Sequence, residues 1–100
     1  MEITISVRHG SLSEAARAKI EAKIAKLGKF FDQLATAEVT VDLEPRENPV
    51  LDIKLSTVRK NSFVVREQTG ELMASLDASM DKLEQQIKKF KEKLQDRRPE

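Results

Sequence analysis

Lysine is the residue type whose spacing carries chemistry in this chain. Lys82, Gln86, Lys89 and Lys93 follow one another at intervals of four, three and four, and Lys19, Lys23 and Lys26 at four and three. At about 100° per residue, such intervals gather side chains on one flank of a helix. Rows of ammonium groups neither cleave nor transfer anything. They neutralise anions, and a phosphate backbone is an extended anion that fits such a row. Taken one at a time, the same lysines are ordinary solvation of a helix surface; two aligned rows favour the phosphate reading, and if the helices pack side by side the rows are expected to border one groove.

Other candidate groups carry less. Asp77 and Asp81 stand one helical turn apart, as paired carboxylates for acid-base work would. Both also fall in the first half of a helix, where negative charge offsets the N-terminal dipole, and Asp81 has Gln85 as a local partner. His9, beside Gly10, could touch a phosphate or be a solvated loop histidine. The sequence holds no glycine-rich phosphate loop, Ser/His/Asp set or HExxH. Cysteine is absent and His9 is the single histidine, which removes thiol chemistry and leaves a zinc ion mostly carboxylates. Catalytic residues, a metal, a cofactor and a small-molecule substrate are therefore not expected. Neither a signal peptide nor a run of roughly 20 apolar residues occurs, so a cytoplasmic protein without membrane association is expected.

The elements that must position the lysines follow from hydrophobic period. Ile3, Ile5 and Val7 alternate with polar residues as a strand, and Gly10 ends it. Ser11 has the capping-box spacing to Glu14, whereas Ser13 directly precedes the helical pattern and is the preferred N-cap. Ala16, Ile20, Ile24, Leu27 and Phe31 then form one stripe of a helix reaching Lys29 or Phe30. Ala37 to Leu43 and Leu51 to Leu55 alternate as strands around a turn framed by Pro45 and Pro49. A further strand spans Ser62 to Arg66, its inward face being either Phe63 with Val65 or Val64 alone. Leu72, Leu76, Met80, Leu83, Ile87, Phe90 and Leu94 make the stripe of a long closing helix.

The order β-α-β-β-β-α over residues 1–94, with a charged tail at 95–100, predicts one α+β domain. It is a two-layer sandwich, a four-stranded sheet with two helices on one face, its first two strands parallel and the rest an antiparallel meander.

The formal charge is only +1, so a polyanion partner must be argued from placement. From Lys82 to Arg98, Lys82, Lys88, Lys89, Lys91, Lys93, Arg97 and Arg98 outnumber Glu84, Glu92 and Asp96; in the first helix Arg17, Lys19, Lys23, Lys26 and Lys29 outnumber Glu14 and Glu21. Glu2, Glu38, Asp42, Glu44 and Asp52 fall largely on the outward side of the strands. The expected molecule is basic over the helices and acidic behind the sheet. Trp and Tyr are absent, and Phe31, Phe63 and Phe90 among the four Phe sit at core positions. A stacking platform for unpaired bases is therefore missing, and lysine rows would read the shape of folded RNA.

The run Ala74-Ser75-Leu76-Asp77 through Leu94, with Asp81-Lys82-Leu83-Glu84, Gln86-Ile87 and Lys91-Glu92-Lys93-Leu94 inside it, resembles the closing helix of the ribosome hibernation promoting factors and ribosome-associated inhibitors. Ser13-Glu14-Ala15-Ala16-Arg17, Lys23-Ile24-Ala25-Lys26-Leu27 and Phe30-Phe31-Asp32 resemble that family's opening helix, so the likeness covers nearly the whole chain. The resemblance implies a fold akin to a double-stranded-RNA-binding domain. It also implies binding to small-subunit rRNA where mRNA and the A- and P-site tRNAs lie, blocking translation by occupancy. By position, the family's basic residues correspond to Lys23, Lys26, Lys82, Lys89, Lys91 and Lys93, with Gln86 among them. Lys19 joins from the row arithmetic, giving the expected RNA-binding set. The chain departs from the family at Leu76, Met73 and Gln85, the last replacing an arginine that could meet phosphate. Pairing of ribosomes is expected only if a C-terminal dimerising domain has been removed. The competing expectation is a protein-interaction module that docks a partner through the long helix.

Overall fold

A computed structural model describes residues 1–96. Alternating segments become strands and the 3.6-period segments become helices, in the expected order: β1 (Glu2–Arg8), α1 (Glu14–Phe30), β2 (Leu34–Asp42), β3 (Val50–Thr57), β4 (Ser62–Glu67) and α2 (Leu72–Asp96). The sheet order is β1-β2-β3-β4, with β1 parallel to β2 and the other pairs antiparallel. Ser13 is the N-cap of α1, its hydroxyl accepting from the Ala16 amide at 3.1 Å, a contact worth about 1 kcal/mol.

Two boundaries differ from expectation, and one open face is settled. β2 begins at Leu34 because an irregularity between Leu34 and Thr36 turns both Leu34 and Ala37 inward, three residues apart; such a bulge erases the alternation that would announce the strand. In β4, Phe63 and Val65 are buried and Val64 is 58% exposed. α2 continues through Asp96, so the first two residues of the expected tail are helical, and the other four, residues 97–100, lie outside those described.

Both helices lie on one face. Ile20, Ile24 and Leu27 of α1, with Leu76, Met80, Leu83 and Ile87 of α2, pack on Val39, Val41, Leu51, Ile53 and Leu55 of the sheet. The apolar stripe of α2 is thus consumed inside the domain. Ser75 and Ser79 are buried on the same helix: Ser79 donates to the Ser75 carbonyl at 2.8 Å, and the Ser75 hydroxyl accepts from the Thr69 amide at 3.1 Å.

Chain direction gives the layers two distinct poles. α1 leads from the end of β1 back to the start of β2, and α2 runs back along β4, so both helices end at the same pole. There the Val58 amide donates to the Gln33 carbonyl at 3.0 Å, tying the β3–β4 turn to the α1–β2 loop. Phe31, Phe63 and Phe90 meet edge to face beneath it, with centroids 5.5 to 6.4 Å apart. At the other pole the Leu43 amide donates to the Arg8 carbonyl at 3.0 Å, and Gln68 to the Asn48 carbonyl at 2.8 Å. With 25 residues in α2, about 37 Å at 1.5 Å per residue, the molecule is elongated, measuring 53 × 22 × 18 Å.

Candidate nucleic-acid interface

The two lysine rows form as helical arithmetic requires, but they do not border one groove. α1 presents Lys23 and Lys26 to α2, and the α2 flank that meets them carries Asp77, Asp81 and Glu84. Lys23 is ion-paired with Asp77. The row Lys82, Gln86, Lys89 and Lys93 lies on the far flank of α2, over β4, where Lys82 pairs with Glu67 and the Gln86 amide donates to the Val64 carbonyl at 3.1 Å. Chain direction is the cause: the helices run the same way on one sheet face, so the left flank of one faces the right flank of the other.

The eight expected contacts therefore divide. Lys19, Lys26, Lys89 and Lys93 are exposed and make no ion pair among the described residues. Lys23, Lys82 and Gln86 are engaged as above. Lys91, placed on the mixed flank by arithmetic, reaches back to the end of α1: its ammonium donates to the Phe30 carbonyl at 3.3 Å and lies 4.7 Å from the centroid of the Phe30 ring.

The expected acidic back is also corrected. Strand register sets Lys54 opposite Glu38, Arg66 opposite Asp52 and Arg8 opposite Asp42, with Arg66 Nε 3.8 Å from the Asp52 carboxylate. The outward face of the sheet neutralises itself through cross-strand pairs. Charge separates along the molecule instead. The pole where both helices end carries Lys29, Arg59, Lys60, Lys88, Lys89, Lys91 and Lys93 against Glu2, Asp32 and Glu92; the opposite pole carries Glu14, Asp42, Glu44, Glu47, Glu67 and Glu71 against Arg8, His9, Arg17 and Arg46. Within α2 itself most acids precede Gln85 and most lysines follow it, the exceptions being Lys82, Glu92 and Asp96, an arrangement that largely complements the helix dipole.

Lys29, Lys88, Arg59 and Lys60 thus share the basic pole although they belong to neither lysine row. Element order held the signal, since a β-α-β-β-β-α sheet must bring the ends of both helices and the β3–β4 turn together. His9 belongs to the opposite pole. Its Nδ1 is 2.8 Å from Asp42 Oδ1 and its Nε2 3.1 Å from Glu44 Oε2. The hydrogen bond to Asp42 and then the charge of Glu44 raise its pKa above the ordinary histidine value, while His9 lowers that of Asp42. It is a loop clasp in acidic surroundings, poorly placed for a phosphate.

Asp77 and Asp81 face lysines of α1 across the interhelical cleft, and among the described residues no group of three or more metal-ligating side chains converges. No helix is long and apolar enough to cross a membrane.

Comparison with known proteins places these features. The profile of the family described as sigma 54 modulation protein / S30EA ribosomal protein matches residues 3–95. A ribosome hibernation promoting factor of Pseudomonas putida is 28% identical over 95 residues, covering 95% of this chain and 91% of that protein. A ribosome hibernation promotion factor of Staphylococcus aureus is 29% identical over 85 residues, 84% of this chain but 45% of that longer protein. The N-terminal domain of Thermus thermophilus Protein Y superposes with a TM-score of 0.77 at 27% identity, over 90% of this chain and 99% of that one. A ribosomal subunit interface protein from Coxiella burnetii shares the fold, with a TM-score of 0.81 at 19% identity over 91% of this chain and 98% of that one.

Proposed function

The chain belongs to the sigma 54 modulation protein / S30EA ribosomal protein family, and from that premise we propose that it is a ribosome-associated translation inhibitor, a hibernation factor that holds small-subunit rRNA in the mRNA and tRNA channel. The observation that carries this reading is the basic pole. Two helix ends and one turn converge there, and the exposed lysines of α2 stand along a helix that exceeds the length of the strands beneath it. A cationic ridge of that form fits a channel walled by phosphates, and binding by phosphate contacts positions the protein without reading bases.

The contact set is Lys19, Lys23 and Lys26 on α1 with Lys82, Gln86, Lys89, Lys91 and Lys93 on α2, joined by Lys88 at the pole. Exposed Lys26, Lys89 and Lys93 contribute most. Lys23, Lys82 and Gln86 contribute less, because each must first release an internal partner. Inhibition is by occupancy in the cytoplasm, where ribosomes work, with no chemical step. Docking of a partner protein through α2 is not favoured, because its apolar stripe is largely buried on the sheet and none of the exposed large apolar residues Met1, Phe30, Val58 and Val64 lies on α2.

Co-sedimentation with purified ribosomal subunits tests the proposal. The protein should pellet with small subunits, be displaced by mRNA and tRNA, and fail to pellet after Lys26, Lys89 and Lys93 are replaced together by Glu with the circular dichroism spectrum unchanged. Undiminished pelleting of that variant, or pelleting with large subunits alone, would refute it.

A further inference from the structure

The geometry points to a seat for one unpaired guanine base on the ring of Phe30, in the cleft between the end of α1 and the middle of α2, an inference that rests on the RNA-binding reading above. Phe30 is the one phenylalanine of the four left largely exposed, at 42%. It directly precedes Phe31, whose burial completes the apolar stripe of α1, so Phe30 itself is turned off the core toward α2. Lys91 lies against the ring at 4.7 Å from its centroid. Away from Lys91 the ring borders a cavity of about 360 Å³ whose other walls are Asp81, Glu84, Gln85 and Lys88, within the range of small-ligand sites.

The lining of this cavity selects its occupant. An aromatic face offers stacking to any base. The Lys88 ammonium at the rim meets a phosphate. The carboxylates of Asp81 and Glu84 would repel a bare phosphate or the acceptor edge of most bases, but they suit an edge rich in N–H groups. Asp77 is already paired with Lys23, whereas Asp81 and Glu84 have no ion pair among the described residues. Guanine alone presents two adjacent donors, N1–H and the N2 amine, which one carboxylate accepts in parallel. Adenine sets an acceptor at its N1, cytosine one at its N3, and uracil flanks its single N–H with two carbonyls. A guanine extruded from folded RNA thus stacks on Phe30, turns its donor edge to Glu84 and leaves its phosphate to Lys88. Lysine rows that read only shape acquire one point of sequence preference.

The chain contains no Trp or Tyr, so Phe30→Trp makes a single-fluorophore protein. The probes are RNA hairpins carrying one bulged guanosine, one bulged adenosine or one abasic nucleotide, labelled so that anisotropy reports binding independently. The indole of the F30W protein should be quenched by the guanosine bulge and not by the abasic one. The unsubstituted protein should bind the guanosine hairpin about tenfold more tightly than the abasic one. Phe30→Leu should erase that difference, and Glu84→Gln should abolish the preference for guanosine over adenosine. An unquenched indole at saturating RNA, or a guanosine preference that survives in E84Q, overturns the base seat and leaves the rRNA-binding reading standing. Failure of all hairpins to bind overturns both.

Discussion

The two poles of this molecule are built from the same layers and do opposite things with charge. At the acidic pole the polar groups are tied to one another: His9 bridges Asp42 and Glu44, the Asp42 carboxylate also accepts from the Glu44 amide at 3.0 Å, and Gln68 clasps Asn48. At the basic pole an aromatic cluster supplies rigidity from beneath, and Lys89 and Lys93 project without internal ion partners among the described residues. Loops that satisfy their own charges are closed to a charged partner, whereas lysines held up by apolar packing keep their charge for one. The near-neutral total of +1 conceals that separation.

Reversing the basic pole should break the contrast most strongly. Replacing Lys88, Lys89 and Lys93 together by Glu should weaken small-subunit binding on the order of a hundredfold or more, measured by co-sedimentation. The matching reversal of Glu44, Glu47 and Glu71 to Lys should not weaken it, because a Debye length of about 8 Å in physiological salt is short against a long axis of 53 Å. Undercutting the basic pole comes next. Phe63→Ala removes a buried ring that touches both Phe31 and Phe90 and should cost about 3–5 kcal/mol in urea unfolding.

Smaller effects are expected at the acidic pole. Gly10 holds φ +155°, and a Cβ there would stand 2.8 Å from Leu43 Cδ1; Gly10→Ala should destabilise by about 1–2 kcal/mol by the same assay, with rRNA affinity of the folded protein unchanged. The smallest effect is the titration of His9. Its raised pKa means that its clasp contributes fully below the unfolded-state value near 6.5 and is lost as pH rises through the folded value. Asp42, with its lowered pKa, must remain ionised, so the contribution fades again in strong acid. The stability advantage of the wild type over His9→Gln should therefore be larger at pH 5.5 than at pH 8.5, with no accompanying change in ribosome binding at either pH.

Most of the fold could be read from period alone, because each strand and helix buries one face and the burial shows as alternation or as a stripe. β2 is the exception, its first residues hidden by the irregularity at Leu34. The lysine rows were equally legible, since a flank is a local property of a helix. Their relation to each other was not. Whether Lys23 faces Lys89 or Asp77, the latter 54 residues away in the chain, depends on the relative direction of the two helices, and the charge of the sheet's outer face depends on strand register that pairs Glu38 with Lys54. The exposure of Phe30 was legible too, since the stripe through Leu27 assigns Phe31 to the core and leaves Phe30 off it; what Phe30 borders was not, because the facing wall comes from α2.

The salt dependence of small-subunit binding tests the role of the basic pole most directly. The logarithm of the binding constant should fall steeply and linearly with the logarithm of salt concentration, and neutralising Lys89 or Lys93 to Gln should reduce that slope by roughly one per lysine removed, while neutralising Lys54 on the outer sheet face should leave it unchanged. A binding constant indifferent to salt, or a slope that Lys54→Gln lowers as much as Lys89→Gln does, would contradict the assignment of the interface to that pole.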